Sequence, residues 1–169
     1  DYDNSLSYLT RSIKIYEEIG DKNGMANYIG LIGFTYYSKG DYENALLYYE
    51  KELEILEELN DKYLMALTLL SYERLYINSG NYNKALEYNT RTFNLFDELR
   101  PKEEYEWLLF EIKVSQFLSY KYLGREYDSE EIRSLIKLDE NPEDIMFELN
   151  YNIYQLIDDT SYLETAYNQ

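Results

Sequence analysis

Apolar side chains recur along this chain at steps of three and four, and the stripes they form restart at a fixed interval. Tyr42, Ala45, Tyr49, Leu53 and Leu56 lie on one face of a predicted helix. Met25, Ile29, Ile32 and Tyr36 do the same over residues 22–38, the helix before it. Gly40 separates the two, and Gly80 stands at the next such junction. A glycine there can take the left-handed conformation that closes a helix. Gly20 and Asn60 end the second helices, and Asp21 and Asp61 follow as candidate N-caps. The predicted unit is a helix, a turn and a second helix.

The unit repeats. Tyr2, Tyr42 and Tyr82 are 40 residues apart, as are Leu6, Leu46 and Leu86, then Tyr8, Tyr48 and Tyr88, and Ile13, Leu53 and Phe93. "EEIGDK" at 17–22 answers "EELNDK" at 57–62. Two antiparallel helices cannot bury both faces of their stripes, so each copy must offer its neighbour the same surface. An all-α fold follows, an α-α superhelix of stacked helix pairs.

The second half follows the pattern less regularly. Residues 104–124 read as a long first helix ending at Gly124, and 126–138 as a short second helix capped by Asp128 or Ser129. "NPED" at 141–144 begins another, with Pro142 at the first helical position, where a missing N–H is harmless. "DDTSYLETAYNQ" then restarts a second helix, with Tyr162 placed 80 residues after Tyr82. The expected divisions are 1–21, 22–60, 61–100, 101–140 and 141–169, a single array. Its first and last stretches both read as second helices, as in a piece of a larger protein.

"IGLIGFTYYSKGDYENALLYYEKELEI" at 29–55 resembles the tetratricopeptide repeat family. Ile29 and Ile32 stand at its large apolar positions, Gly33 at the small one, Tyr36 at the aromatic, Gly40 at the turn and Ala45 at the packing residue of the second helix. At 69–95 Tyr76, Gly80, Tyr82 and Ala85 remain, but Glu73 replaces the small residue, so either the pair opens there or Glu73 points along an edge. The resemblance implies a concave groove lined by first helices. Its frame puts Asn27, Gly30, Phe34 and Tyr37 on that groove, then Leu70, Arg74, Ile77 and Asn78, then Val114, Leu118 and Lys121. Phe34, Tyr37, Leu70 and Ile77 would make an apolar strip with Arg74 as an anchor for a carboxylate or an aromatic ring. The Lys and Asn clamp by which one subclass grips chaperone C-termini is absent, because Gly30, Phe34, Leu70 and Arg74 hold those places.

Composition narrows the function. The net charge is −17, from 33 acidic and 16 basic residues, which disfavours nucleic acid and anionic membrane as partners. No Cys and no His occur, removing thiolate chemistry, soft metal sites and the commonest proton shuttle. No apolar run approaches the ~18 residues of a spanning helix, and no leader stands at the start, so a cytoplasmic location is expected. The acidic runs lack the loop and alternating ligands of a calcium site, and no carboxylate pair sits beside a nucleophile or phosphate loop. No catalytic residue, metal or cofactor is expected. The 22 tyrosines read as packing residues, and Trp107 as core.

The expected function is protein binding: a scaffold that docks a peptide or helix of a partner. "EIGDKNGMA" at 18–26 resembles arrays of bacterial signalling proteins, and "KYLGREYDSEEIRSLIK" with the stretch 148–169 resembles arrays attached to adenylate or guanylate cyclases. Alternatives are a peptide-pheromone receptor that changes pitch on binding, and homodimerisation through an uncovered end helix bearing Leu6 and Ile13.

Overall fold

A computed structural model describes residues 1–99, 106–128, 130–131 and 147–157, without the side chains of 106–107 and 147–150. Its helices are α1 (Tyr2–Ile19), α2 (Lys22–Ser38), α3 (Tyr42–Leu59), α4 (Lys62–Asn78), α5 (Tyr82–Leu99), α6 (Glu106–Tyr122) and α7 (Phe147–Ile157). No strand occurs among the described residues.

Local chemistry sets the helix boundaries on a twenty-residue beat. Asp21, Asp41 and Asp61 accept hydrogen bonds from the backbone N–H of Gly24, Asn44 and Leu64 at 3.0, 3.2 and 3.0 Å, and Asn81 accepts from Lys84 at 3.3 Å. Just before these caps, Gly20, Gly40, Asn60 and Gly80 all have positive φ, 53° at Asn60. The Asn44 side chain also bonds Asp41 and holds its carboxyl below the ordinary range.

α2 packs along α3, and α4 along α5. First helices also meet each other, α2 with α4 and α4 with α6. A row of first helices in contact curves the stack toward that side, giving an all-α superhelix with α2, α4 and α6 inside. Ala45, Tyr49, Leu69, Tyr72 and Leu75 form one buried cluster. Leu70, Phe96, Leu108 and Ile112 form another, and Ile77, Val114, Phe117, Leu118 and Ile153 belong to a third. Ring stacks join the layers, with Tyr72 on Tyr88 at 4.7 Å and Tyr82 on Tyr122 at 4.6 Å.

Glu73 resolves differently from either expectation. α4 and α5 stay as closely packed as α2 and α3, and Glu73 is fully buried between them. Asn89 makes that possible: its Nδ2 donates to Glu73 Oε1 and to the Ile112 carbonyl, both at 2.7 Å. Asp128 does cap the turn after α6, accepting from Glu130 and Glu131 at 2.9 and 3.3 Å. The expected helix over 126–138 beyond residue 131, the cap at 141–144, Tyr162 and the Trp107 side chain lie outside the described residues.

Candidate functional site

On the inner side, α2 and α4 diverge enough to leave a groove of about 360 Å³. α2 lines it with Asn27, Gly30, Leu31 and Phe34, and α4 with Leu64, Leu67, Thr68 and Ser71. Tyr49 and Glu52 of α3 form the floor. A second depression of about 300 Å³ adjoins it, where Tyr2, Ser5 and Leu9 of α1 face Leu31, Phe34 and Thr35 of α2. Leu31 and Phe34 are shared by both and stay 48% and 52% exposed, a ridge of apolar surface between two hollows.

The floor follows from side-chain size. A Cβ at Gly33 would stand 2.7 Å from Cδ1 and Cε1 of Tyr49, so an edge of that ring packs directly against the α2 backbone. A Cβ at Gly30 would stand 2.2 Å from Glu52 Oε1, so the carboxyl occupies the space that glycine leaves. Burial pushes the Glu52 carboxyl up to about 7, against a hydrogen bond from Thr68 that pulls the other way. The Thr68 hydroxyl also donates to the Leu64 carbonyl at 3.0 Å and has one hydrogen for two acceptors.

The structure divides the residues expected on the groove. Asn27 and Phe34 are exposed there, and Gly30 lies beneath Glu52. Tyr37 and Asn78 are bonded to each other, Asn78 Nδ2 donating to the phenol oxygen, which ties the ends of α2 and α4 together. Leu70 and Ile77 of the expected apolar strip are buried, and so are Val114 and Leu118, which were expected on the groove beside it. For Leu70 and Ile77 the reason is α6, whose Leu108, Phe110 and Ile112 cover that side of α4, and Val114 and Leu118 of α6 are buried in the cluster that contains Ile77 and, from α7, Ile153 and Leu156. Arg74 also differs from the expected anchor: its Nε donates to Glu111 Oε1 of α6 at 2.6 Å, with the two side chains only 16% and 5% exposed. Lys121 reaches the carbonyls of Gln155 and Leu156 at the end of α7, where a cation is favoured.

Sequence reasoning passed over Leu31, Leu64, Leu67 and Glu52. The signal for Glu52 was present, since Ala45, Tyr49, Glu52 and Leu56 step by four, three and four along the buried stripe of α3. Glu50, Glu54 and Glu57 close by in the sequence obscure that spacing.

A larger hollow, about 480 Å³, lies between α3 and α5 over Tyr72, Tyr76 and Tyr88. Its rings stack on one another, and Lys84 and Arg91 of this chain already stand over Tyr76 and Tyr88 at 5.0 and 5.2 Å. Its aromatic faces are therefore already matched from within. Among the described residues no group of three or more acidic side chains is placed to hold a metal ion, and no helix is long and apolar enough to cross a membrane.

The family model described as tetratricopeptide repeat matches residues 1–58 and, in a second placement, 25–98. No curated protein matches the chain.

Proposed function

We propose that this chain, which belongs to the tetratricopeptide repeat family, is a docking scaffold whose inner groove between α2 and α4 holds a peptide or helix of a partner protein. Tetratricopeptide repeats generally mediate protein–protein contacts and are typically non-catalytic. The observation that carries the groove reading is the exposed ridge of Leu31 and Phe34 between two hollows. An apolar side chain of a partner, entering either hollow, would cover that ridge and remove it from water. The finer assignment is the regulatory or docking part of a larger signalling protein such as an adenylate or guanylate cyclase. It rests on the resemblance of residues 18–26, 121–137 and 148–169 to such arrays.

The test is selection of random 12-residue peptides displayed on phage, repeated on Phe34→Ala. Phe34 is half exposed, so truncation should leave melting nearly unchanged. Peptides that bind the wild type and are lost on the variant support the groove; peptides indifferent to Phe34 refute it.

A second reading, self-association, is favoured by α1. It has no buried residue and exposes Tyr8, Ile15 and Ile19. Sedimentation should show a concentration-dependent mass that Ile15→Lys abolishes; a constant monomer mass refutes it.

A further inference from the structure

We propose that the segment docked in this groove carries a lysine or arginine whose cationic head forms an ion pair with Glu52. The inference rests on the groove reading and adds the chemistry of the partner. Among the described residues that line the groove, Glu52 is the only charged side chain. α2 and α4 present Asn27, Thr68 and Ser71 to it but no charge, and Tyr49 on its own helix is the other titratable lining group. No ion pair within the described residues involves it.

A carboxylate on an apolar floor without a counter-ion is an expensive arrangement in its ionised form. A cation brought by the partner removes that cost, and no cation among the described residues pairs with Glu52. Leu31, Phe34, Leu64 and Leu67 around the rim suit the methylene stem of a long basic side chain. The net charge of −17 draws a basic segment toward the chain from a distance. The equivalent places one repeat later make the contrast: Leu70 stands for Gly30 and Thr92 for Glu52, both buried, and that position offers neither space nor charge.

Free Glu52 titrates near neutrality, whereas an ion pair requires the carboxylate. Affinity for a basic peptide should therefore rise with pH up to about 7 and level off above it.

The experiment selects displayed random 12-residue peptides at pH 8 on the wild-type chain, then measures the enriched ones by calorimetry. Lysine or arginine next to an apolar residue should be enriched, and Glu52→Gln should weaken binding roughly tenfold or more. Wild-type affinity should fall severalfold from pH 8 to pH 6, while the Glu52→Gln variant stays flat. Gly30→Ala, which pushes the carboxyl out of its space, should weaken the same peptides without removing the charge. Peptides that need Phe34 but bind Glu52→Gln equally well, or that lack basic residues, overturn the ion pair and leave the groove standing. Peptides indifferent to both positions overturn the two together. The wild-type pH profile reads the same contact with no substitution at all.

Discussion

The pair α2–α3 and the pair α4–α5 look interchangeable from outside and are not so inside. Both begin at capping aspartates and break at left-handed glycines, and both carry the same surface bridge, Lys22–Glu58 and Lys62–Glu98, each at 2.6 Å. At the centre of the first pair Gly33 lies against an edge of the Tyr49 ring. Forty residues on, Glu73 and Asn89 hold those places, joined by a 2.7 Å hydrogen bond. Bulk has moved from the second helix to the first. A neighbouring position moves it the same way, from Gly30 and Glu52 to Leu70 and Thr92. The repeat therefore constrains the sum across the interface and leaves open which helix supplies it. Each pair also keeps one carboxyl whose proton affinity is raised by its surroundings, half-buried Glu52 on the second helix and fully buried Glu73 on the first. In the second pair Glu73 Oε2 and Asn89 Oδ1 lack hydrogen-bond partners among the described residues. Burial holds the Glu73 carboxyl well above its ordinary range, with the Glu111 carboxylate adding to the shift and Asn89 and Arg74 opposing it.

The strongest way to break this comparison is to put one half of the second solution into the first. Gly33→Glu should cost about 4 kcal/mol or more, because a carboxylate then meets a ring that has nowhere to go. Adding Tyr49→Asn should recover at least half of that in urea unfolding; strictly additive costs would mean the positions do not compensate. Arg74→Met should cost about 3–5 kcal/mol by taking the guanidinium away from the buried Glu111 carboxylate. Loss below 1 kcal/mol would mean that α4 and α6 are held by their apolar contacts alone.

The two carboxyls make a pH prediction with a definite sign. Each binds its proton more tightly in the fold than in the unfolded chain, so stability falls as pH rises between the unfolded and folded values. For Glu52 that window runs from 4.5 to about 7, a span of roughly 3 kcal/mol. For Glu73 it opens at 4.5 and extends well above. Between pH 5 and pH 8 the double variant Glu52→Gln/Glu73→Gln should lose less unfolding free energy than the wild type. An equal loss would remove titration from the account of both sites. Smaller effects belong to the shared exterior: Asn81→Ala should cost about 1 kcal/mol through the lost cap. Lys62→Ala should stay within about 0.5 kcal/mol, the ordinary worth of an exposed pair.

What could be read from sequence was what neighbouring residues decide. Caps, turns and stripes depend on contacts within about four positions, and the forty-residue spacing exposes them three times over. Glu73 could not be placed from its own surroundings, since the residue that accommodates it is sixteen positions away on another helix. Leu70, Ile77 and Leu118 match exposed groove positions in the family frame, yet they are buried because helices meet over them. The same contact took Arg74 out of the groove. Glu52 was legible but outvoted by its acidic neighbours, although its spacing from Tyr49 and Leu56 set it apart.

Tandem copies this alike carry a hazard in folding: a first helix can dock on the wrong second helix, one repeat out of step, with every cap and turn still satisfied. The exchange of bulk between the two pairs guards against it in both directions. α4 docked on α3 in the manner of its own partner would drive Glu73 into Tyr49. α2 docked on α5 would set Gly33 against Asn89 and leave a hole with an unanswered amide. One slipped pairing is too full and the other too empty, so the array carries an ordering of its parts that its surface does not display.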